Sequence, residues 1–137
     1  MNQNEKRLFL IKSLLKEQPE YEKMQIPVRV DEQKTMLRSL MNVRMPGNID
    51  DELISVQDEY LRQVNAEKGV VTLSDMEEMQ PDLYVWKGDI TRLKAGAIVN
   101  AANSGMTGCY QPCHNCIDNA IPFSITQSCM QSRTAHG

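Results

Sequence analysis

Apolar residues recur at helical spacing in several segments of the first half of the chain. The first segment runs from residues 4 to 18, and Pro19 stops it. In the second, Asp31 is suited to capping a helix, and Pro46 followed by Gly47 ends it. These patterns predict two amphipathic helices, and their apolar faces are Leu8, Ile11, Leu14 and Leu15 for the first, and Met36, Leu37, Leu40 and Met41 for the second.

A third helix is predicted directly after the second. Asn48 or Asp50 caps it, the acidic first turn suits the positive end of the helix dipole, and Gly69 ends it. Its apolar face is predicted to pack in a core rather than to carry chemistry. Ser74 and Glu77 have the spacing of a capping box for one further short turn. The members of the third apolar face are Leu53, Val56, Tyr60 and Val64.

Two later segments have the patterns of strands. Leu83 and Val85 alternate with Tyr84 and Trp86 before a turn, so a sheet is predicted to begin near Leu83. The run 97–99 is continuously apolar, which is typical of a strand buried on both faces of a parallel sheet.

Amide, hydroxyl and glycine residues follow this run at its carboxyl end, where parallel sheets bind ligands. They are suited to holding the hydroxyl groups of a sugar. The alternative for the asparagines is a turn stabilised by their own side chains, without a ligand. The residues are Asn100, Asn103, Ser104, Gly105 and Gly108.

Three cysteines and a histidine come next: Cys109, Cys113, His114 and Cys116. Thiolates and imidazole are ligands that Zn²⁺ prefers. Three protein ligands leave a coordination position open, as in catalytic sites, whereas a fourth thiol closes the site. Two alternatives are a C-x-x-C redox pair, which lacks its usual helical context here, and buried inert thiols.

Size and charge narrow the class of protein. The chain has 137 residues, a mass of 15.6 kDa and a formal net charge of −3, which fit one domain without a basic surface for nucleic acid. No apolar run has the length of a membrane span, and the first ten residues lack the pattern of a signal peptide. A cytoplasmic protein is therefore predicted. In a reducing compartment, three cysteines clustered around a histidine indicate metal binding or catalysis more than disulfides, and Cys129 stands apart.

Three sequence blocks together resemble a known family. GDIT (88–91), AIVNAAN (97–103) and GCYQPCHNCIDNAI (108–121) are similar, in this order, to the opening half of the zinc-containing, sirtuin-linked bacterial macrodomains that remove ADP-ribose from proteins. The resemblance implies an α/β fold: a macrodomain-like partial sheet over 83–121, preceded by an N-terminal helical extension over 1–82.

The resemblance also assigns binding and catalytic residues. It implies that Asp89 accepts a hydrogen bond from the adenine amino group, that Ile90 forms a wall of the pocket, and that Asn103 contacts the distal ribose. Asp118 would orient or deprotonate the attacking water. The alternatives are a solvated turn for Asp89 and a helix N-cap for Asp118.

The same resemblance implies a cofactor and partners. The ligands of Zn²⁺ would be Cys109, His114 and Cys116, with Cys113 a spare thiol. The substrate would be an ADP-ribosylated protein, for which the resemblance suggests a lipoyl-carrier protein modified by a linked sirtuin. The alternative function is a non-catalytic module that binds ADP-ribose or zinc.

The resemblance stops after Ile121. Pro122 follows, and residues 122–137 are polar without clear periodicity, so they are predicted to be a divergent, disordered tail. The glycine-rich loop that would hold the diphosphate has no counterpart. We interpret this as truncation or a changed reading frame, which would leave the hydrolase inactive; the coding DNA in its other two frames tests the interpretation.

Overall fold

The computed structural model of the chain describes residues 1–45, 47–101, 104, 109, 111 and 116. The described part has mixed helix and sheet, as predicted for its class. Three helices come first, and a small hairpin of two strands follows. The helices are α1 (Gln3–Lys16), α2 (Val30–Val43) and α3 (Asp51–Lys68), and the strands are β1 (Glu77–Gln80) and β2 (Leu83–Val85).

Helix α1 begins with a capping box that the sequence pattern did not single out. The Asn2 side chain accepts a hydrogen bond from the Glu5 backbone N–H at 2.9 Å, and the Asn2 N–H donates to the Glu5 carboxylate at 2.7 Å. The two bonds satisfy N–H groups that otherwise lack partners in the first turn. The helix therefore begins at Gln3, one residue before the predicted start.

The predicted cap of α2 is wrong, and that of α3 is right in position. Arg29 lies at the N-cap of α2, and Asp31 lies within its first turn. There the Asp31 carboxylate favours the positive end of the helix dipole without capping it, and it accepts a hydrogen bond from Arg29 at 2.8 Å. Asp50 is the N-cap residue of α3, and Gly69 ends the helix with a φ of 86°, a conformation that glycine adopts without strain.

The three helices enclose one apolar core. Helix α1 contacts both α2 and α3, because its buried face is wide enough to meet both. The predicted faces are confirmed except at their margins: Leu8 is half-buried, and Leu10 takes its place in the core. The buried members are Leu10, Ile11, Leu14, Leu15, Leu37, Leu40, Leu53, Val56, Tyr60 and Leu61.

A buried arginine joins the helices beside this core. Arg7 is 2% exposed, and its Nε donates to Gln33 Oε1 at 3.0 Å while Nη2 donates to Asn4 Oδ1 at 2.9 Å. The Gln33 amide in turn donates to the Pro27 carbonyl oxygen at 2.7 Å. Among the described residues no carboxylate pairs with this guanidinium. Neutral amides therefore hold a buried charge, an arrangement that depends on each hydrogen bond.

The predicted capping box after α3 is wrong by two residues. Thr72 and Asp75, rather than Ser74 and Glu77, form the box, with the Thr72 N–H donating to the Asp75 carboxylate at 2.8 Å. This box closes a 3₁₀ turn over Leu73–Asp75. Glu77 is already the first residue of β1, so its backbone is extended and its side chain cannot reach back to cap a turn.

Strand β2 was predicted, and its pairing was not. It pairs with β1 in the antiparallel direction, so the sheet begins at Glu77 instead of Leu83, and an irregularity lies between Glu78 and Gln80. Tyr84 is half-buried, whereas Leu83 and Val85 are 53% and 57% exposed. The predicted alternation is therefore present, with the aliphatic side chains facing outwards.

The prediction of a buried parallel strand over 97–99 is wrong in the described structure. These residues have no regular secondary structure, and Ile98 and Val99 are 39% and 94% exposed. A strand needs neighbours to satisfy its N–H and carbonyl groups, and no described strand lies beside this run.

The domain boundaries at 82/83 and 121/122 stay predictions, and residues 122–137 lie outside the described residues. In the described part of the chain, no helix combines the length and the apolar character that a membrane span requires.

Candidate functional site

The candidate site begins at the turn after β2. Gly88 lies against the indole ring of the half-buried Trp86, and a Cβ atom at this position would overlap the ring. The absence of a side chain at Gly88 therefore lets the aromatic ring cover the backbone of the turn. Asp89 follows directly, so its position depends on this close approach.

The Asp89 carboxylate is fixed by its own turn. Its Oδ1 accepts hydrogen bonds from the Thr91 hydroxyl at 2.7 Å and from the Thr91 N–H at 3.0 Å, and these bonds cap a 3₁₀ turn over Ile90–Arg92. The bond from the Thr91 hydroxyl is the largest cause of a lowered pKa for Asp89, and Lys68 and Arg92 lower the pKa further. The carboxylate is therefore ionised at neutral pH.

This geometry bears on the two predicted roles of Asp89, a contact with adenine and a solvated turn. The turn capped by its own aspartate is present, as the non-functional alternative requires. The residue is nevertheless exposed, and Oδ2 makes no hydrogen bond with the described residues. One carboxylate oxygen thus holds the turn, and the other is able to accept a hydrogen bond from a ligand.

Ile90 lies at the start of the 3₁₀ turn and is half-buried. Its carbonyl oxygen accepts a hydrogen bond from the Leu93 N–H at 3.2 Å. A side chain that is partly exposed beside Asp89 is compatible with the predicted pocket wall, which stays a prediction.

The turn is fastened to the end of α3. Val71 and Leu93 form an isolated parallel bridge, in which the Val71 N–H donates to the Arg92 carbonyl and the Lys94 N–H donates to the Val71 carbonyl, each at 2.8 Å. The Arg92 side chain adds a hydrogen bond from Nε to the Gly69 carbonyl at 2.9 Å. The helical core therefore positions the Asp89 turn through the backbone.

Sequence reasoning missed Thr91 and Arg92 as positioning residues. The spacing Asp89-x-Thr91 is a pattern in which a side chain bonds backbone two residues on, so a turn signal was present. The contact between Arg92 and Gly69 joins residues 23 positions apart in the chain, and no local pattern indicates it.

Asn100 has a buried amide oxygen that accepts no hydrogen bond from the described residues. Its Oδ1 is almost inaccessible to solvent, although the residue as a whole is half-buried. Leaving a buried acceptor unpaired costs about 1–3 kcal/mol. A donor from a ligand or from another part of the protein would remove that cost, so this amide is a candidate contact.

The structure describes two of the three predicted metal ligands. Cys109 and Cys116 are both half-buried, and His114 lies outside the described residues. Asn103 and Asp118 lie outside them too. Within the described part of the chain, which does not include His114, no three His, Cys, Asp or Glu side chains come together as metal ligands. The metal site stays a prediction.

The chain is similar to several proteins that are named for ADP-ribose hydrolysis. No family model matches the chain. Among individual proteins, a protein-ADP-ribose hydrolase of Treponema medium is 54% identical over 125 residues, which cover 88% of this chain and 48% of that protein. A protein of the same name from Staphylococcus aureus strain MRSA252 is 39% identical over 123 residues, covering 88% of this chain and 46% of its own length.

A more distant relative has a related name. A probable bifunctional ADP-ribose hydrolase/ADP-ribosyltransferase of Fusarium oxysporum f. sp. cubense is 32% identical over 117 residues, covering 74% of this chain and 20% of its own. The chain thus spans about half the length of the bacterial relatives that it matches, and less of the fungal one.

The matched span of the Treponema protein includes the candidate site. A single span over 88% of 137 residues leaves about 16 residues outside it, so it contains residues 18–120 wherever it begins. Every candidate site residue from Asp89 to Asp118 falls in that range. The similarity therefore extends through the site as well as through α2 and α3.

Proposed function

We propose that this chain provides the ADP-ribose-contacting first half of a protein-ADP-ribose hydrolase. The observation that carries the proposal is the 54% identity over 88% of the chain to a protein of that name. In this proposal residues 83–121 belong to the first part of a macrodomain, and residues 1–82 are its helical extension.

The exposed Asp89 supports the binding part of the proposal. Its ionised carboxylate keeps Oδ2 available, and an ionised acceptor forms a stronger hydrogen bond with an amino group than a neutral one. Asp89 would accept the bond from the adenine amino group, with Ile90 as a wall. The buried Asn100 oxygen and Asn103 are placed by the sequence on the path towards the distal ribose.

The proposed reaction is hydrolysis of the bond between the anomeric carbon of the distal ribose and a protein side chain. Asp118 holds a water molecule and accepts its proton as the oxygen attacks that carbon. The bond to the protein side chain breaks, and its electron pair leaves with the side chain, which takes up a proton. Asn103 holds the sugar hydroxyls in line with the attack.

The residues available fit a zinc ion. Two thiolates and an imidazole are a normal donor set for Zn²⁺, and the two described thiols are half-buried, as ligands beside an accessible site would be. Cys109, His114 and Cys116 would hold the ion. Bound Zn²⁺ would supply a Lewis acid next to the distal ribose.

Substrate and partners follow from the resemblance. The substrate is an ADP-ribosylated protein, and the more specific hypothesis is a lipoyl-carrier protein modified by a linked sirtuin. A different function is ADP-ribose binding without hydrolysis, since the contacts described around Asp89 concern binding alone. Single-turnover hydrolysis of an ADP-ribosylated protein separates the two: release of ADP-ribose above background supports the hydrolase, and binding without release supports the module.

The binding step is tested by calorimetric titration of ADP-ribose into the chain. Asp89→Asn replaces an acceptor by a donor, so we expect an affinity loss of about tenfold or more. Asp75→Asn is the matched control, because Asp75 also accepts hydrogen bonds from a threonine in a 3₁₀ turn and also has a lowered pKa. Equal affinity for the two variants would contradict the adenine contact.

The metal is tested by elemental analysis of the purified protein. Cys116→Ala is expected to lower the zinc content, and Cys129→Ala, which removes the thiol outside the cluster, is expected to leave it unchanged. Full zinc content together with a full hydrolytic rate in Cys116→Ala would remove the metal from the proposal.

A further inference from the structure

Arg92 is the residue at which the Asp89 turn and the end of α3 meet. Its backbone N–H donates to the Asp89 carbonyl oxygen at 3.0 Å and so closes the turn. Its own carbonyl oxygen accepts a hydrogen bond from the Val71 N–H at 2.8 Å, and its side-chain Nε donates to the Gly69 carbonyl oxygen at 2.9 Å. One residue therefore bonds both the candidate binding turn and the chain at the end of α3.

The end of α3 is suited to holding a guanidinium group. Carbonyl groups at a helix C-terminus lack partners within the helix, and the helix dipole is negative there, so a charged donor is favoured. Gly69 favours the close approach, since a Cβ atom at this position would lie 3.3 Å from Arg92 Nη2. The Arg92 side chain therefore fills a place that α3 leaves open.

The connection along the chain does not by itself fix the turn on the helix. The segment 70–88, which joins Gly69 to Asp89, contains a 3₁₀ turn and the β1–β2 hairpin. Among the described helices, α3 has the most contact with the Asp89 turn. The position of the Asp89 carboxylate relative to the helices therefore depends on the Arg92 side chain and on the parallel bridge beside it.

This attachment has a consequence for binding. A turn that is already fixed loses less conformational freedom when a ligand binds to it, so its affinity is higher. Oδ2 of Asp89 is the oxygen that can accept a bond from a ligand, and its position follows that of the turn. The bond between Arg92 and Gly69 therefore bears on how well the carboxylate is placed before the ligand arrives.

We infer that Arg92 is a positioning residue that couples ADP-ribose binding at Asp89 to the C-terminal end of α3. The inference rests on the proposed function for the identity of the ligand. Coupling between two sites is reciprocal. The attachment of the turn to α3 strengthens binding, and bound ADP-ribose in turn stabilises the attachment.

The attachment is measured by hydrogen exchange of two backbone amides in the full chain. The Val71 N–H donates to the Arg92 carbonyl oxygen and the Lys94 N–H donates to the Val71 carbonyl oxygen, so their exchange rates report on opening between the turn and α3. Arg92→Leu removes the side-chain bond and keeps the backbone groups. We expect both amides to exchange about tenfold faster in this variant without ligand, because a hydrogen bond from a charged donor is lost.

The effect of position must be separated from that of charge, because Arg92→Leu also removes a cation near Asp89. Lys68→Gln is the matched control. Lys68 and Arg92 both lower the pKa of Asp89, and of the two it is Arg92 that bonds the Gly69 carbonyl oxygen. Arg92→Lys keeps the charge and a donor, so it should restore part of the exchange protection.

Binding is measured by calorimetric titration of ADP-ribose in about 0.5 M salt, where interactions between exposed charges are screened. We expect Arg92→Leu to bind about three- to tenfold more weakly, Arg92→Lys to recover part of that loss, and Lys68→Gln to stay within about twofold of the unchanged chain. Saturating ADP-ribose should slow the exchange of the Val71 and Lys94 amides in the unchanged chain, and slow it less in Arg92→Leu.

Two results would overturn the inference in variants whose helices persist by circular dichroism. One is an affinity in Arg92→Leu equal to that of the unchanged chain or of Lys68→Gln, and the other is unchanged amide exchange in Arg92→Leu. If Arg92→Leu loses its helices, Arg92→Lys is compared with Lys68→Gln instead: weaker binding in Arg92→Lys supports the inference, and equal affinity overturns it.

Failure of the inference is distinguishable from failure of the proposed function. If the unchanged chain binds no ADP-ribose, the proposed function and the coupling are both refuted, and the exchange rates without ligand still report whether Arg92 fixes the turn. Binding of ADP-ribose that does not depend on Arg92 refutes the coupling alone.

Discussion

The hydrogen bonds of the buried Arg7 predict a large effect of a single substitution in the helical core. Gln33 is 7% exposed, and it both accepts a hydrogen bond from Arg7 and donates one to the Pro27 carbonyl. Gln33→Leu keeps the size of the side chain and removes both bonds. It leaves a buried charged donor and a carbonyl oxygen with one partner fewer.

The magnitude follows from these two losses. A hydrogen bond to a charged group contributes about 1.5–3 kcal/mol, and the part-buried bond to the Pro27 carbonyl contributes about 0.5–1.5 kcal/mol. Burial of the leucine side chain offsets about 1 kcal/mol of this sum. We therefore expect Gln33→Leu to lower the free energy of unfolding by about 1–3.5 kcal/mol.

The assay is urea unfolding followed by far-ultraviolet circular dichroism, with the midpoint and slope compared between variants. Gln63→Leu is the control, because Gln63 is exposed and its hydrogen bond to Glu67 is on the surface; its effect should be within about 0.5 kcal/mol. Arg7→Met combined with Gln33→Leu removes both partners, so the double variant should be less destabilised than the sum of the single ones, by about 1–2 kcal/mol.

A change smaller than about 0.5 kcal/mol for Gln33→Leu would refute the argument that neutral amides stabilise the buried guanidinium. Strict additivity of the two substitutions would refute the direct coupling between Arg7 and Gln33.

Three further predictions concern the turn after β2 and the core. Gly88→Ala should displace the ring of Trp86, the single tryptophan, and shift its fluorescence, whereas Gly96→Ala, with open space around the added Cβ, should not; equal spectra would contradict the contact. The pKa of Asp89 is lowered, so the stability that its bonds give the turn is present above the ordinary value of about 4 and is lost as the pH falls through the lowered one. A carboxyl NMR titration midpoint at or above the ordinary value would count against this. Burial raises the pKa of Tyr60, so the contribution of this side chain to stability is complete below about pH 10 and is lost at higher pH. Tyr60→Phe should remove that loss when the free energy of unfolding is measured in urea at increasing alkaline pH. The same fall in stability with pH in the variant would contradict this prediction.

The helices were predictable because their patterns are local. The spacing of apolar residues identified most of the core, and Asp50 and Gly69 marked the ends of α3 correctly. The errors concern caps. Asn2, Arg29 and Thr72 lie at the N-caps. Two positions after each of them stands a residue of equal or higher capping propensity: Asn4, Asp31 and Ser74.

The residue types of the candidate site were predictable, whereas the contacts that hold those residues in place were less so. The Gly-Asp pair at a strand end indicated Asp89, and the structure shows it exposed, with hydrogen bonds from Thr91 that lower its pKa. The parallel bridge between Val71 and Leu93 and the contact from Arg92 to Gly69 were not predicted. These contacts depend on how distant parts of the chain meet.

The sequence by itself determined the three helices, the strand at Leu83–Val85 and the residues available for chemistry, because each depends on neighbours within a turn or two. Only the tertiary structure decided that β2 pairs with β1, that its aliphatic side chains face solvent, and that the run 97–99 lies exposed. A helix satisfies its own backbone hydrogen bonds, whereas a strand needs another strand beside it. An apolar run therefore indicates a strand that needs a neighbouring strand, and the tertiary structure determines whether one lies beside it.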